Sequence, residues 1–260
     1  MSDTLTRTAG PDPEWAEAWQ RTWDLQQESY VPDREARLGA LVDIVESVAG
    51  SEPLVLDLAC GTGSISRRVL ARLPRARTVA VDIDPALLAI AAGSLAGDPR
   101  VRIVRADLGD PAWTAALPET GFDAVVTATA LHWLPEPTLR RLYRDLREVV
   151  RPGGVVANAD EMPAGGLPRL TAGLSELARR RREQQNADGR PDWDAWWDLA
   201  AGDALLAGAV AERRRFFGAS HPAQFDPPAS WHVAALAAAG FAESGVAWRQ
   251  GTGAIVAAVR

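Results

Sequence analysis

The chain has 260 residues, a formal net charge of −6 and 47% hydrophobic residues, the balance of an ordinary globular protein. This charge argues against nucleic-acid binding through phosphate contacts, which needs a basic face. All 28 basic residues are arginine, so the chain has no lysine for Schiff-base chemistry or for a phosphate-binding P-loop.

The N-terminal residues and the cysteine content bear on where the protein acts. The first ten residues, MSDTLTRTAG, have no apolar core of the kind that a secretory signal needs. No apolar run approaches the length of a membrane span. The single cysteine, Cys60, has no partner for an internal disulfide. We therefore expect a cytoplasmic protein without a membrane partner.

An aromatic repeat marks the first predicted helix, which covers residues 12–30. Three tryptophans recur there at intervals of four residues, the spacing of one helix face: Trp15, Trp19 and Trp23. Pro32 and Asp33 introduce a second helix with its own apolar stripe. We expect residues 1–33 to form an N-terminal capping segment that precedes the main domain.

Strand-like and helix-like segments then alternate. The predicted strands are 54–58, 78–82, 101–105, 122–127 and 155–158. The predicted helices between them are 61–73, 84–95, 111–117 and 136–150. Asp84, directly before Pro85, is expected at the N-cap of the second of these helices. The alternation predicts an α/β fold, with a parallel sheet and helices on both faces.

The alternation stops at residue 161 and resumes at residue 228. The segment between them, residues 161–227, carries two helical patterns and a second tryptophan group at residues 193–197. Ser230 is expected at the N-cap of the helix that follows. Two closing strands are predicted at 244–249 and 254–259. This organisation indicates one sheet domain that is interrupted by a helical insertion.

Two glycines after the first predicted strand indicate a nucleotide-binding turn, within the segment VLDLACGTGSIS. Asp82 lies 19 residues beyond Gly63, which is also the spacing of an NAD-binding fingerprint. However, the third glycine of that fingerprint would fall at Ser66, and the carboxylate of Asp57 would repel a pyrophosphate. An NAD-dependent oxidoreductase therefore remains the last-ranked alternative.

Three acidic residues lie at the carboxyl ends of successive predicted strands: Asp57, Asp82 and Asp107. In a parallel α/β sheet these strand ends line one crevice, where ligands bind. A ligand with an ammonium group, a ribose diol and an adenine amino group suits all three carboxylates. S-adenosylmethionine has these three groups.

Several segments, in order and correctly spaced, resemble the motifs of the class I S-adenosylmethionine-dependent methyltransferases. They are LDLACGTG, VAVDID, RADL, FDAVVTATALHWLPEP and RPGG, and ALHWL is similar to the trans-aconitate methyltransferase-like group of small-molecule enzymes. The resemblance implies a doubly wound, seven-stranded, mostly parallel sheet whose last strand is antiparallel. Residues 34–160 and 228–260 would then form the cofactor domain, and residues 161–227 a helical substrate lid after strand five.

The resemblance also implies roles for individual residues. Gly61 and Gly63 would let the backbone approach the methionine part of the cofactor. Asp57 would hold that loop and the ammonium group. Asp82 would accept hydrogen bonds from both ribose hydroxyls, and Asp107 from the adenine amino group. The other expected cofactor contacts are Ala59, Ile83, Leu108, Thr127, Tyr30 and Arg34.

In this family the N-terminal helices and the insertion build the acceptor pocket, and both are rich in tryptophan here. Aromatic walls favour an apolar or aromatic acceptor. His132, just past the fourth strand, is the candidate general base; the alternative is that it only shapes the pocket. The expected acceptor contacts are Trp23, His132, Trp133, Asp160, Trp196, Trp197 and His221. Methyl transfer is an in-line displacement that needs no metal.

The function that the resemblance implies is methylation of a small molecule on oxygen, nitrogen or carbon, with S-adenosylhomocysteine as the second product. The lysine-free, alanine- and arginine-rich composition is typical of GC-rich genomes, in which such enzymes of secondary metabolism are common. One alternative is a protein of the same fold that binds S-adenosylmethionine without methyl transfer, as a cyclase or a regulator. The sequence leaves open a monomer or a homodimer.

Overall fold

The computed structural model describes residues 12–31, 33–164, 166–186, 192–217 and 224–260. The helices are α1 (Pro13–Tyr30), α2 (Arg34–Ala49), α3 (Ser64–Arg72), α4 (Pro85–Ser94), α5 (Glu136–Val149), α6 (Pro168–Asn186), α7 (Trp193–Gly202), α8 (Ala207–Phe217) and α9 (Ala229–Ala238). The strands are β1 (Leu54–Leu58), β2 (Arg77–Asp82), β3 (Val101–Arg105), β4 (Phe122–Ala128), β5 (Val150–Glu161), β6 (Glu243–Gln250) and β7 (Gly253–Val259). Short 3-10 helices lie at Trp113–Ala116 and Leu131–Trp133.

The strands form one seven-stranded sheet in the order β3-β2-β1-β4-β5-β7-β6. Strands β1 to β5 pair in parallel, and β7 runs antiparallel to both of its neighbours, β5 and β6. The predicted doubly wound sheet with an antiparallel last strand is confirmed. Because the strand order reverses between β1 and β4, a crevice opens outside the carboxyl ends of these two strands.

Successive residues of β1 face opposite sides of the sheet, and a hydrophobic core covers each side. Leu56 is fully buried among side chains that include Leu142 of α5. Val55 is fully buried on the other side, with Leu41 of α2. Each fully buried aliphatic side chain contributes about 1.5–3 kcal/mol, so the two cores fix the sheet between its helical layers.

A third hydrophobic cluster joins α1 to α4 and to the helices of the insertion. Its buried members include Trp23 of α1, Ile90 of α4, Trp196 and Trp197 of α7 and Val210 of α8. The N-terminal helix and the insertion therefore pack against each other and against the helix that follows β2. None of the helices in the described ranges is both long enough and apolar enough to cross a membrane.

Several element boundaries differ from the prediction for identifiable reasons. Helix α3 begins at Ser64, not at residue 61, because Gly61 and Gly63 adopt positive φ angles of 55° and 82°. Strand β5 has 12 residues, because pairing with β4 extends it back to Val150 and pairing with β7 extends it up to Glu161. Helix α9 begins at Ala229 after Pro228, so the prediction of Ser230 as its N-cap is wrong.

The insertion also differs from its prediction, since its described residues form three helices where two were expected. By contrast, the predicted cap of α4 is confirmed. The Oδ1 atom of Asp84 accepts hydrogen bonds from the backbone N–H groups of Ala86 and Leu87, at 2.9 and 3.3 Å. Asp84 therefore satisfies two of the donors that a helix N-terminus leaves free.

Candidate active site

The turn between β1 and α3 presents main chain to the crevice. Ala59 has a φ of 55°, and Gly61 and Gly63 also lie in the left-handed region. A Cβ atom on Gly61 would meet only Leu87, at 3.8 Å, whereas a Cβ on Gly63 would lie 2.8 Å from the side chain of Leu95. Gly63 therefore allows the turn to pack on α4, and the space beside Gly61 is open to a ligand.

Asp57 anchors the start of α3. Its Oδ2 atom accepts hydrogen bonds from the backbone N–H of Ser66 at 2.9 Å and from the Ser66 hydroxyl at 2.7 Å. The residue has no exposed surface, and the Oδ1 atom has no hydrogen-bond partner among the described residues. Burial raises the pKa of Asp57 to about 6, although the two bonds from Ser66 oppose the shift. Asp57 therefore holds the glycine turn from beneath.

Asp82, the last residue of β2, connects two loops at the crevice. Its Oδ2 atom accepts a hydrogen bond from the backbone N–H of Gly61 at 2.7 Å, and its Oδ1 atom accepts one from Asp84 at 2.8 Å. Burial raises the pKa of Asp82 to about 6. Each carboxylate oxygen has two lone pairs, so each can accept one further hydrogen bond. This remaining acceptor capacity fits the two hydroxyls of a ribose.

The end of β3 carries the third predicted acid. Asp107 is exposed, and its Oδ1 atom accepts a hydrogen bond from the backbone N–H of Gly109 at 2.7 Å. Leu108 beside it is buried, and Ile83, after β2, is partly exposed. Asp57, Asp82 and Asp107 thus lie at the ends of three adjacent strands, as predicted. A pyrophosphate would meet negative charge here, whereas the residues fit a nucleoside with a diol and an amino group.

Arg34 lies beside the glycine turn but already has two partners. Its Nη1 atom is 2.8 Å from Oδ1 of Asp24, and its Nη2 atom donates to the hydroxyl of Ser64 at 2.9 Å. Gln20 donates to the same hydroxyl at 3.0 Å. Burial lowers the pKa of Arg34, and the charge of Asp24 opposes this decrease only in part. This polar cluster ties α1 and α2 to the first residue of α3.

The sequence analysis missed Gln20, Asp24 and Ser64. Gln20 and Asp24 are four residues apart and therefore share one face of α1, where Gln20 also donates to Asp24 at 3.1 Å. The helix carries many other polar residues, so the sequence held no signal that singled out this pair. Its burial against α2 and α3 was not predictable from local pattern.

Two residues that were expected to contact the cofactor, Thr127 and Tyr30, have surroundings that differ from this expectation. Thr127 has no exposed surface within β4, so a ligand in the crevice cannot reach its side chain. Tyr30 ends α1, and its hydroxyl accepts a hydrogen bond from the backbone N–H of Trp193 at 2.9 Å. This bond places Tyr30 at the junction of α1 and α7. Burial therefore argues against a contact through the Thr127 side chain, Tyr30 has a contact with α7, and the cofactor roles of both residues stay predictions.

His132 and Asp160 form a pair at the ends of β4 and β5. His132 lies on the 3-10 helix Leu131–Trp133, and its Nδ1 atom is 2.9 Å from both carboxylate oxygens of Asp160. Asp160 is buried, whereas His132 keeps some exposed surface. The backbone N–H of Phe225, near the end of the insertion, donates to the carbonyl oxygen of His132 at 2.9 Å. The pair therefore lies where the sheet meets the insertion.

The surroundings of His132 favour its protonated form. Burial lowers the pKa of the imidazole, but the hydrogen bond to Asp160 and the charges of the nearby carboxylates, first of all Asp160, together outweigh burial, so the pKa lies above its ordinary value. The carboxylates of Asp226 and Glu161 add to this increase. An ionised Asp160 requires a proton on Nδ1, which leaves Nε2 as the acceptor nitrogen of the neutral ring.

The other predicted acceptor contacts fall into two groups. The ring of Trp133 lies 4.7 Å from that of His132 and is therefore next to the His132–Asp160 pair. Trp23, Trp196 and Trp197 pack against one another edge to face, with ring centroids 4.9–6.4 Å apart. Trp196 is 1% exposed, and its Nε1 donates to the hydroxyl of Thr22 at 3.0 Å.

These contacts give the buried tryptophans a packing role between α1, α4 and α7. Their proposed contact with an acceptor stays a prediction, which their burial does not support. The pattern of aromatic residues predicted an apolar cluster, but it could not show which face of α7 the cluster covers.

His221 lies outside the described residues. Within the described ranges, no group of three or more His, Cys, Asp or Glu side chains is placed to hold a metal ion.

Comparisons with known proteins identify the family to which this chain is similar. A family model described as a methyltransferase domain matches residues 55–154. A trans-aconitate 2-methyltransferase of Methylobacterium nodulans is 31% identical over 190 residues, which cover 68% of this chain and 68% of that protein. A trans-aconitate 2-methyltransferase of Azoarcus sp. is 35% identical over 158 residues, 58% of this chain and 57% of that protein.

Solved structures share the fold at low sequence identity. The structure of human N-acetylserotonin methyltransferase in complex with S-adenosylmethionine superimposes with a TM-score of 0.55 and 15% identity, over 94% of this chain and 56% of that one. The chain spans about half the length of several of the relatives that it matches. The match to the Methylobacterium protein covers more than two-thirds of both sequences.

Proposed function

Because the chain belongs to the class I S-adenosylmethionine-dependent methyltransferases, we propose that it transfers a methyl group from this cofactor to a small apolar or aromatic molecule. We place the acceptor atom on a hydroxyl or amine that loses a proton, and the reaction in secondary metabolism. The observation that carries the proposal is the pair of His132 and Asp160 at the ends of β4 and β5.

The residues around the glycine turn would hold the cofactor. When bound, S-adenosylmethionine supplies an electrophilic methyl group on a positively charged sulfur. The backbone at Gly61 leaves open space for the methionine part, and Asp82 retains acceptor capacity for the two ribose hydroxyls. Asp107 and Ile83 lie at the ends of β3 and β2, where the adenine would bind. Arg34, which already contacts Asp24 and Ser64, would use its remaining N–H donors to bind the methionine carboxylate.

His132 would act as the general base. Asp160 holds Nδ1 through its carboxylate, so the neutral imidazole directs the lone pair of Nε2 away from Asp160. That nitrogen would take the proton from the acceptor as its oxygen or nitrogen attacks the methyl group. A base and a carboxylate that orients it are the usual means of activating a weak nucleophile. A protein that only bound the cofactor would have no need of this pair.

Negative charge near His132 bears on the choice of acceptor. Asp160, Glu161 and Asp226 all act on the imidazole electrostatically. Glu161 is paired with the buried Arg37, whose Nη2 lies 2.7 Å from its carboxylate. A tricarboxylate such as trans-aconitate, which appears in the names of the two relatives described above, would meet repulsion chiefly from Asp160 and Asp226 while His132 is neutral, since Arg37 compensates Glu161. This charge pattern supports a neutral acceptor.

A turnover assay with S-adenosylmethionine labelled in the methyl group tests the proposal. Phenols, alcohols, amines and carboxylic acids are supplied as acceptors, and both S-adenosylhomocysteine and the labelled product are measured. We expect turnover with a neutral phenol, alcohol or amine and loss of turnover in His132→Gln. Binding of S-adenosylmethionine without transfer to any acceptor would favour a cyclase or a regulator. Binding of NADH in its place would contradict the family's cofactor.

A further inference from the structure

A charged pair connects the insertion to the cofactor crevice. Nε of Arg213, on α8, lies 2.6 Å from Oδ2 of Asp84, and both side chains are largely buried. The guanidinium group of Arg213 also lies 3.8 Å from the ring centroid of Trp197 and 5.0 Å from that of Phe217. Stacking and ion pairing together hold this arginine in one orientation.

Asp84 is in turn hydrogen-bonded to Asp82. The backbone N–H of Asp84 donates to Oδ1 of Asp82 at 2.8 Å. One carboxylate oxygen of Asp84 caps α4, and the other is bound by Arg213. Asp84 is therefore fixed from two sides, and its backbone N–H is aimed at one oxygen of the carboxylate that faces the crevice.

Asp82 lies among other carboxylates, and Arg213 is the cation that offsets the charge of one of them, Asp84. The carboxylate of Asp82 interacts electrostatically with both Asp57 and Asp84, and Cys60 is buried near Asp57 and Asp82. Burial raises the pKa of Asp82 to about 6, and the negative charge of Asp84 contributes to the increase. Burial also raises the pKa of Asp84, and the charge of Arg213 opposes that shift.

A second cation near this connection, Arg105, is already paired. Arg105 lies opposite Asp82 in the register of β2 and β3, and it forms an ion pair with Glu212 of α8 at 2.8 Å. Both partners of that pair are well exposed. Arg213 is thus the cation that compensates the buried charge of Asp84.

We propose that Arg213 is a positioning residue for the cofactor, which acts through Asp84 to keep the carboxylate of Asp82 ionised and oriented toward the ribose hydroxyls. Helix α8 of the insertion then serves the ribose end of the crevice, in addition to any role of the insertion at the acceptor end. The inference rests on the proposed ribose contact of Asp82.

The direction of the effect follows from the charges. Without Arg213, the carboxylate of Asp84 is uncompensated, and the pKa of Asp82 rises further. A protonated Asp82 offers fewer acceptor sites to a diol, so cofactor affinity falls most where the pH lies below the raised pKa. At high pH the carboxylate of Asp82 is ionised with or without Arg213. The cofactor affinities of the wild type and of a variant without Arg213 therefore become similar.

Titration calorimetry with S-adenosylhomocysteine between pH 6.0 and pH 8.5 tests the inference. For Arg213→Gln, an increase of about one unit in the pKa of Asp82, from about 6, weakens binding about fivefold at pH 6.0 and less than about twofold at pH 8.5. The matched control is Arg214→Gln, because Arg214 is an exposed neighbour that pairs with Asp198 at 3.4 Å. We expect this control to follow the wild-type pH profile.

A double variant separates electrostatics from packing. In Asp84→Asn with Arg213→Gln, no buried charge is left uncompensated, and the asparagine oxygen can still cap α4. The pH dependence of binding should therefore return to that of the wild type. A pH-independent loss of affinity in both variants would show that Arg213 only packs on Trp197 and would overturn the inference. Failure of the wild type to bind S-adenosylhomocysteine would instead contradict the cofactor assignment.

Discussion

Nδ1 of His132 lies 2.9 Å from both carboxylate oxygens of Asp160, although 28 positions separate the two residues in the chain. The parallel pairing of β4 with β5 brings them together, since both residues follow or end these neighbouring strands. The pair joins a titratable ring to a buried carboxylate at the edge of the crevice. Most of the chemistry proposed here depends on this geometry.

The first prediction concerns the role of His132 as a base. We expect His132→Gln to lower turnover by about 10²-fold or more, because general base catalysis contributes about that much. Affinity for S-adenosylhomocysteine should stay within about threefold, since His132 is not among the groups that hold the cofactor. Turnover assays and calorimetry on the same preparations measure both quantities. Retention of most of the turnover would show that the enzyme works by alignment of its substrates alone.

The second prediction concerns the pH dependence that Asp160 imposes. Because the pKa of His132 is raised, the imidazole is protonated at low pH and the rate should fall as the pH drops through that pKa. Asp160→Asn removes the largest contribution that raises the pKa, so the acidic limb of the profile should move to lower pH. Glu161→Gln is the matched control, since it removes a nearby charge but leaves the Nδ1 contact in place. An equal shift in both variants would contradict a specific role for Asp160.

The third prediction concerns Asp82. Asp82→Ala removes the acceptor for two ribose hydroxyls, and each hydrogen bond to a charged group contributes about 1.5–3 kcal/mol. We therefore expect affinity for S-adenosylmethionine to fall by at least about tenfold while the protein stays folded. Calorimetry measures the affinity and circular dichroism checks the fold. Asp43→Ala is the control, because Asp43 is exposed and pairs with Arg72 on the surface of α2. Unchanged affinity in Asp82→Ala would refute the ribose contact.

The fourth prediction concerns the tryptophans of α7. Trp196→Ala should lower the free energy of unfolding by about 3–5 kcal/mol, because it removes a large side chain from a packed cluster. Leu199→Ala, at a residue of α7 that is 60% exposed, should change it by less than about 0.5 kcal/mol. Chemical denaturation measures both. A stable Trp196→Ala protein with altered acceptor preference would instead restore the original prediction that this residue lines the acceptor pocket.

The fifth prediction concerns the buried carboxyl of Asp57. Its pKa rises from 3.8 to about 6 on folding, so between these values the folded protein binds more protons than the unfolded chain. This group's contribution to stability is therefore largest below pH 4 and decreases as the pH rises to about 6. Asp57→Asn keeps an acceptor for Ser66 but has no such titration. The unfolding free energy of the variant relative to the wild type should increase by about 3 kcal/mol across that window and stay constant above it.

Denaturation curves at pH 4, 5, 6 and 8 measure this difference. The same series with Asp43→Asn provides the control, since its carboxylate is exposed. A stability difference that does not change between pH 4 and pH 6 would show that the pKa of Asp57 is not raised in the folded protein.

Much of the fold was determined by local sequence pattern. The alternation of apolar strands with helical segments was sufficient for β1 and β3, whose predicted bounds, 54–58 and 101–105, are those of the structure. The three acids at strand ends were also predictable, because the carboxyl ends of parallel strands meet at one edge of the sheet. Asp84 could be assigned as a cap because a helix N-terminus selects a short acceptor side chain directly before proline.

Other features were decided only by the tertiary structure. Whether Trp196 lines a pocket or fills a core depends on which surface α7 meets, and that surface belongs to α1 and α4, far away in the sequence. The partners of His132 and Arg34 depend on distant segments in the same way. Hydrophobic periodicity acts over a few residues and specifies which side of an element is buried. The contacts between elements are specified by the combined packing of the whole chain, because burial energy has no direction and only the assembled shape selects the neighbours.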